Sequence, residues 1–355
     1  MNFWSDLPKP FFILAPMEAV TDVVFRHVVA RASAPDIWFS EFTNATGWVH
    51  AGQKAIGGRL IKTDGENPIV AQIWGGEPGD MEQLALHCRE LGYHGIDINM
   101  GCPAKSAIKS GGSALIRKPD VAVAAIKAAK TAGLPVSVKT RLGYTRIDEW
   151  RDWLATLLQQ NIVNLTIHLR TKKEMSKVPA HFELIPEIIA LRDEIAPQTL
   201  LTINGDIENR EHGLELSNKY PGIDGIMIGR GVFHDPFCFS VKEPLVTKLA
   251  EASAAQVSTD AYSIETRREA VTDGSVGEEA TNLQRARQKE LLDLLSYHLD
   301  LFDQWQPQLG RPYETLKRFF KIYVRDFAGA SEMRASLMET KSTDQARKII
   351  KKAAL

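Results

Sequence analysis

Short apolar runs alternate with amphipathic segments over the first two thirds of the chain. The runs are rich in β-branched and aromatic residues and continuously apolar, which is typical of strands buried on both faces of a parallel sheet. Between most of them apolar positions recur with helical spacing, as in residues 81–92, where a glycine ends the predicted helix. The predicted strands are FFILAPM (11–17), DIWFSEF (36–42), PIVAQIWGG (68–76), GIDINMG (95–101), PVSVKTRLG (135–143), NLTIHLR (164–170), TLLTING (199–205) and GIDGIMIGRG (222–231).

This alternation predicts an α/β fold, a (β/α)8 TIM barrel, which we assign to residues 1–245. A doubly wound open sheet is the alternative. The number of strands disfavours it, as does the lack of a GxGxxG sequence after the first strand.

The rest of the chain divides in two. Residues 246–284 are polar and poor in large aliphatic side chains, which predicts a linker or an exposed insertion. Residues 285–355 have helical periodicity throughout and predict a smaller all-helical domain. Within it, residues 311–352 hold eleven Lys or Arg against five Asp or Glu. An ordinary solvated surface is one interpretation. Interleaving with aromatic residues favours nucleic-acid binding, through Lys317, Arg318, Lys321 and Arg325.

Composition narrows the class of protein. The chain has 355 residues, 44% of them hydrophobic and 25% charged, with a net charge of −1, so any basic surface is local. The three cysteines show no pairing pattern, which favours a reducing compartment. The chain lacks a Cys-x-x-Cys motif, a basic N-terminal signal and a long apolar run. We therefore expect a cytoplasmic, monomeric protein without a metal or a membrane segment.

Functional groups of a parallel barrel gather where its strands end. Glycine turns follow the last two strands, as NGDI and IGRG, where barrels often bind phosphate. Glycine lets backbone N–H groups approach an anion, and Arg230 adds a charge-assisted hydrogen bond. The alternative is a pair of ordinary turns.

Three further strand-end residues favour a flat cofactor. Lys139 lies among valines, so it needs an anionic partner, forms a Schiff base or stabilises a reduced cofactor. His168 is either a core histidine or a ligand contact. Gln72 can both donate to and accept from the edge of a heterocycle. Together with a phosphate site they favour flavin mononucleotide (FMN) over a dinucleotide.

Six motifs follow one another along the chain: LAPMEAVTD (14–22), NMGCP with KSGGSAL (99–115), VKTR (138–141), HLRT (168–171), NGDI (204–207) and IGRG (228–231). Taken in this order, they resemble those of the tRNA-dihydrouridine synthase family. This resemblance implies an FMN-dependent, NADPH-driven oxidoreductase that reduces the C5=C6 bond of uridines in tRNA. Hydride passes from the reduced flavin to C6, and a proton reaches C5. The target base must leave its stack to enter a barrel mouth.

Residue by residue, the resemblance makes Cys102 the proton donor, which suits a thiol that is mostly protonated at neutral pH. Asn99 would orient the uracil, Arg170 would help to bind substrate, and Lys105 and Lys109 would lie near RNA phosphates. The residues expected to hold FMN are Pro16, Met17, Glu18, Gln72, Lys139, His168, Asn204, Gly205, Asp206, Gly229 and Arg230.

Three other functions use parts of the same pattern. A flavin barrel acting on a free pyrimidine, such as a dihydroorotate or dihydropyrimidine dehydrogenase, shares the pocket but needs no basic helical domain. An aldolase would use Lys139 as a Schiff base and would be colourless. An RNA-binding protein that keeps only the scaffold would not need the full set of polar residues at the strand ends.

Overall fold

Eight parallel strands form a nearly closed barrel with helices between them, which confirms the predicted TIM barrel. Neighbouring strands follow the order β1-β9-β8-β7-β6-β5-β4-β2, and a bridge between Ile13 and Ile37 brings the two ends of this order together. A short extra strand, β3, pairs with the end of β4. The strands are β1 (Phe11–Leu14), β2 (Trp38–Phe39), β3 (Thr43–Asn44), β4 (Ile69–Trp74), β5 (Gly95–Asn99), β6 (Val136–Arg141), β7 (Asn164–His168), β8 (Leu200–Asn204) and β9 (Gly225–Ile228).

The computed structural model describes part of the chain, in two compact units. The described residues are 2–105, 107–109, 111–241 and 275–353. The first unit comprises Met1–Ala30 and Ala34–Val232, and the second comprises Arg31–Ser33 and Phe233–Leu355.

Helices follow most of the strands and continue into the second unit. The α-helices are α1 (Val23–Ser33), α2 (Ala45–Ala51), α3 (Gln53–Ile56), α4 (Pro78–Glu90), α5 (Pro119–Lys130), α6 (Trp150–Leu158), α7 (Ile185–Ile195), α8 (Arg210–Lys219), α9 (Gly231–His234), α10 (Ser275–Leu309), α11 (Phe320–Tyr323), α12 (Ala330–Glu339) and α13 (Thr343–Ala353). Short 3-10 helices span Phe3–Asp6, Gly57–Leu60, Ala107–Lys109, Gly112–Arg117, Ile147–Glu149, Phe182–Leu184 and Tyr313–Phe319.

The barrel interior changes from apolar to polar along the strands. A buried cluster that includes Trp4, Phe11, Ile13, Phe39 and Met227 fills the part near the strand starts. Towards the strand ends the interior positions carry amide, hydroxyl, carboxyl and cationic side chains. Buried polar groups need partners, so this half of the barrel is where a hydrogen-bonded site can form.

The second unit is helical wherever it has regular secondary structure, as expected for the end of the chain. Helix α10 begins at Ser275, before the expected boundary at residue 285. Residues 242–274 lie outside the described residues, so the linker assigned to 246–284 stays a prediction. Within the described ranges, no helix combines the length and the apolar character needed to cross a bilayer.

Candidate active site at the barrel mouth

The strand register brings several predicted site residues to one end of the barrel. Asn99 pairs with Lys139 across β5 and β6, and His168 pairs with Asn204 across β7 and β8. In a parallel sheet, residues in register share a face and a height. These four side chains therefore lie inside the barrel at its carboxyl end.

A hydrogen-bonded chain of side chains supports the turn that carries Cys102. Asp97 accepts from Ser137 Oγ at 2.6 Å and from Gln72 Nε2 at 2.7 Å. Gln72 Oε1 accepts from Asn99 Nδ2 at 3.0 Å. Asn99 Oδ1 then accepts the backbone N–H groups of Gly101, at 3.1 Å, and of Cys102, at 2.9 Å. A carboxylate only accepts, so Asp97 fixes the orientation of both amides.

Gln72 and Asn99 are both buried within this chain of hydrogen bonds. Gln72 is 0% exposed and Asn99 is 5% exposed. The expected contacts of Gln72 with flavin and of Asn99 with uracil stay predictions. Their observed partners make both residues supports of the Cys102 turn.

The Cys102 thiol is half-buried next to this network. Burial raises the pKa of the thiol, and the charge of Glu18 acts in the same direction, whereas a backbone hydrogen bond from Ala104 and the charge of Arg141 oppose the rise. The net shift is upward. The thiol therefore stays protonated at neutral pH, as a proton donor must.

The segment after Cys102 folds back onto the same turn. The Cys102 carbonyl accepts the N–H of Ser113 at 3.0 Å. Gly112 has a φ of +56°, and a Cβ there would lie 2.9 Å from that carbonyl oxygen. A side chain does not fit at this position, so glycine is required for the loop to close. Lys105 and Lys109 are exposed on this segment.

The pKa values of Lys139 and His168 are both lowered, so neither side chain behaves like a cation in an ordinary ion pair. Burial lowers the pKa of Lys139 to about 8, with Arg141 adding to the fall and Asp97 opposing it. Burial and the charges of Arg141, Lys139 and Arg170 hold the pKa of His168 well below its usual value. Lys139 Nζ donates to Asn204 Oδ1 at 3.2 Å. The mouth thus holds a weakly basic lysine beside a neutral imidazole.

Arg170, which is buried, and Asp206, which is half-buried, support His168 and Arg230. Arg170 is 2% exposed, and it contacts His168 Nε2 at 3.0 Å and pairs with Asp206. Arginine has no acceptor, so His168 Nε2 must accept and its proton lies on Nδ1. Asp206 also pairs with Arg230 Nη2 at 2.8 Å and accepts from Ala180 N at 2.9 Å. The expected contact of Arg170 with substrate stays a prediction, since its guanidinium is occupied within the protein.

The same contacts determine the charge of Asp206. Burial disfavours its carboxylate, but hydrogen bonds from Arg170 and Ala180 and the charge of Arg230 outweigh burial, and the pKa of Asp206 is lowered. Gly205 has a φ of +124°, and a Cβ there would lie 3.1 Å from Ala180 Cβ and 3.3 Å from His168 Cδ2. Glycine therefore permits the turn that brings Asp206 to Arg170.

Sequence reasoning gave no role to two residues of the site. Asp97 anchors the amide chain, and its pKa is raised to about 6, chiefly by burial. Arg141 is 6% exposed and donates to Gly101 O at 2.8 Å and to Thr171 O at 3.1 Å. The period-two spacing of Asp97 with Asn99, and of Arg141 with Lys139, is a signal that places all four inside the barrel.

The loop after β1 contributes a mixed surface. Pro16 is buried, Met17 is half-buried and Glu18 is exposed and paired with Arg59. Thr21 Oγ1 accepts the N–H of Met17 at 2.9 Å, which fixes the turn.

The second unit has a basic pocket of about 490 Å³. It brings together three of the four predicted RNA-binding cations, Lys317, Arg318 and Lys321, and adds Arg334, which sequence reasoning missed. Arg325 is not among its lining residues; its Nη1 donates to His234 O at 2.6 Å and its Nε pairs with Asp326 at 2.6 Å. We call this site the basic pocket; its other lining residues are Phe320, Ser331, Ala335 and Met338.

A family model described as dihydrouridine synthase matches residues 13–353. The chain belongs to the dihydrouridine synthase family. Members of this family are flavin-dependent oxidoreductases. The match spans residues of both units, so it covers the barrel mouth and the basic pocket alike.

Curated relatives of this dihydrouridine synthase family member are similar over nearly their whole length. The protein named "Probable tRNA-dihydrouridine synthase 2" of Bacillus subtilis (strain 168) is 52% identical over 351 residues, 98% of this chain and 95% of that protein. Proteins named "Probable tRNA-dihydrouridine synthase" of Staphylococcus epidermidis (strain RP62A) and Staphylococcus aureus (strain Mu50) are 51% and 52% identical, each over 98% of this chain and 95% and 94% of the relative.

The residues at the mouth fit a phosphorylated flavin. Lys139 and Arg230 are cationic, His168 is neutral, and the carboxylate of Asp206 is neutralised by two arginines. Arg230 directly follows Gly229, and its hydrogen bond to Asp206 links it to the turn at Gly205. This donor set suits a phosphate at one side and an electron-rich ring at the other. Across the described part of the chain, no cluster of His, Cys, Asp or Glu is arranged to hold a metal ion.

Proposed function

We propose that this protein is a tRNA-dihydrouridine synthase that binds FMN, uses NADPH as reductant and reduces the C5=C6 bond of uridines in tRNA. The observation that carries the proposal is the family match over residues 13–353, with relatives named for this activity at about 52% identity. That name favours tRNA over the free pyrimidine of the alternative flavin barrel. We place the enzyme in the cytoplasm, as a monomer.

The cofactor is held by the accessible groups of the mouth. Lys139 and His168 contact the ring, and Arg230 with the turns at Gly205 and Gly229 holds the phosphate. Asn204 positions Lys139 through its 3.2 Å contact, and Asp206 positions Arg230 at 2.8 Å. Pro16, Met17 and Glu18 border the ring. When bound, the flavin supplies the hydride that reduces uracil at C6.

Cys102 supplies the proton to C5. Its raised pKa keeps the proton on sulfur at neutral pH, and the charge that develops on the substrate draws that proton to carbon. The amide chain from Asp97 to Asn99 holds the backbone on either side of the sulfur. Asn99 thus orients the acid, and through it the uracil that the acid must reach.

The tRNA backbone contacts two basic regions. Lys105 and Lys109 lie on the segment behind Cys102, and Lys317, Arg318 and Lys321 line the basic pocket. Arg334 is a further contact of this pocket. Among the described residues Lys317 and Lys321 form no salt bridge, so their charge is available to phosphate.

The direct test uses the purified full-length protein. We expect it to be yellow with bound FMN, to be reduced by NADPH, and to convert uridine to dihydrouridine in tRNA from cells that lack this gene. Dihydrouridine is measured by mass spectrometry of tRNA digests, which also locates the position. Reduction of free uracil or orotate without any product in tRNA would favour the free-pyrimidine enzyme instead.

Charge reversal in the basic pocket tests the tRNA surface. We expect Lys321→Glu to weaken tRNA binding and to reduce the slope of log K against log salt by about one, because one phosphate contact is lost. Flavin content and reduction by NADPH stay at the wild-type level. Binding is measured at several salt concentrations.

The matched control is Lys219→Glu, the same charge change in the first unit. Lys219 lies in the last turn of α8, and helices that follow parallel strands end at the opposite side of the barrel from the mouth. Equal losses in both variants would mean that total charge, rather than the basic pocket, determines binding.

A further inference from the structure

Trp74 ends β4, and its side chain faces the barrel interior. It follows Gln72 by two residues, and Gln72 contacts Asp97 and Asn99 inside the barrel. A Cβ built on the next residue, Gly75, would lie 3.2 Å from Met81 Sδ and 3.3 Å from Ala45 Cβ, both on helices outside the strands. Successive residues of a strand point to opposite faces, so the indole of Trp74 points into the mouth.

The side chain of Trp74 is more exposed than most interior side chains near the strand ends. Gln72, Asn99, Arg141 and Asn204 are each less than a tenth exposed. Trp74, Lys139 and His168 are half-buried and lie at or near the ends of their strands, as does Asn44, which pairs with Trp74 in register. Among the described residues, the accessible part of the mouth thus includes one large aromatic ring, Trp74, beside groups suited to a cofactor.

The indole of Trp74 is half-buried, so part of the ring is covered by protein and part is accessible. In the described ranges, Trp74 forms no side-chain hydrogen bond and no ring contact. A buried tryptophan usually finds a partner for its N–H, and a large exposed ring is retained where it binds something. The exposed part of the ring is therefore open to a ligand that enters the mouth.

Backbone contacts place Trp74 on the same part of the rim as Cys102. A Cβ at Gly111 would lie 3.2 Å from the backbone of Gly75, so the two chain segments touch. Two residues later, the N–H of Ser113 bonds to the Cys102 carbonyl at 3.0 Å. The chain segments that carry the Trp74 ring and the Cys102 thiol thus pack against each other. This placement favours a contact between Trp74 and the base that receives the proton, rather than a contact with the cofactor.

We propose that Trp74 is a substrate-binding residue whose indole packs against the target uridine, or the nucleotide next to it, when the RNA strand enters the mouth. The inference rests on the proposed function. Base–aromatic contacts tolerate different sequences because every base has a π-face. Trp74 therefore contributes to nucleotide capture, while discrimination of uracil is left to polar groups.

The test separates the two half-reactions. Trp74→Ala and Trp74→Phe are compared with wild type for FMN content, reduction by NADPH and anaerobic reoxidation by unmodified tRNA transcript. We expect Trp74→Ala to leave the first two unchanged and to raise the tRNA concentration for half-maximal reoxidation by roughly ten-fold. Trp74→Phe should restore most of the loss. The control is Trp48→Phe, since Trp48 is half-buried but stacks on His87.

Each other outcome counts against the inference. Loss of FMN or an altered flavin spectrum in Trp74→Ala would assign the indole to the cofactor. Reoxidation equal to wild type would remove any role in substrate binding. Both results would leave the proposed function intact if the wild-type protein forms dihydrouridine. Failure of the wild-type protein to do so would refute the proposed function itself.

Discussion

Cys102→Ala is expected to lower the rate of dihydrouridine formation by at least about 100-fold, the usual range for removal of a positioned general acid. Alanine keeps the backbone that Asn99 holds but removes the proton that C5 requires. Reduction of the bound flavin by NADPH should be unchanged, because this step does not use the thiol. Single-turnover reoxidation by tRNA, followed at the flavin absorbance, measures the effect.

Cys88→Ala is the matched control, because Cys88 is fully buried in α4 and away from the strand ends. It should keep reoxidation near wild type. The pH profile supplies a second readout. The protonated thiol is the active form and its pKa is raised by burial, so the wild-type rate should hold through neutral pH and fall only in the alkaline range. Full turnover in Cys102→Ala would assign the proton to another group.

The fold follows from sequence pattern because parallel strands buried on both faces leave a clear signal. Every predicted strand is present, and each ends within its apolar run. Only β3, of two residues, escaped the pattern, because Thr43 and Asn44 are polar and pair at the edge of β4. A strand that short has no periodicity to detect.

The candidate site followed less completely from the sequence. Motif order located Cys102, Lys139 and His168, which the structure brings to one mouth. The motifs do not show which of their side chains are buried. Gln72 and Arg170 are expected to contact ligands, and the structure shows in addition that both are buried and hydrogen-bonded to protein groups. A strand-end position predicts the side of the barrel, whereas accessibility depends on which long side chains cover it.

Trp74 illustrates the opposite case. In sequence it belongs to an apolar run and is indistinguishable from a core tryptophan. Only the register of β4 and the placement of Gly75 show that its ring points into the mouth. The resemblance to known enzymes gave it no role, since no motif residue lies there.

Asp97→Leu is expected to lower reoxidation by tRNA about 100-fold, although Asp97 touches neither substrate nor cofactor. The carboxylate is the acceptor that orients Gln72, and Gln72 in turn orients Asn99. Leucine leaves Gln72 Nε2 and Ser137 Oγ without their acceptor at a buried site. Either amide can then turn, and the Cys102 turn loses its two hydrogen bonds to Asn99 Oδ1.

Asp97→Asn separates orientation from charge. Its amide can point Nδ2 to Ser137, whose hydroxyl also accepts, and Oδ1 to Gln72, so both orientations are kept. The negative charge of Asp97 raises the pKa of Lys139. Because Asp97→Asn removes this charge, the pKa of Lys139 should fall further, below about 8. We therefore expect Asp97→Asn to keep tRNA-dependent reoxidation at high pH within a few-fold of wild type and to alter the pH dependence of steps that need charged Lys139.

Two measurements accompany these variants: the free energy of unfolding for Asp97→Asn, and the content of bound FMN, which shows whether Asp97→Leu remains folded. Burial raises the folded-state pKa of Asp97 to about 6, so its ionisation disfavours folding as pH rises through that value. Asp97→Asn lacks this ionisation and should lose less stability than wild type between acid and neutral pH, as measured by denaturant unfolding.

Bound FMN, quantified by absorbance, must be retained in Asp97→Leu. If that variant keeps FMN and also keeps full reoxidation, the amide chain does not position Cys102, and the thiol is held by its loop alone.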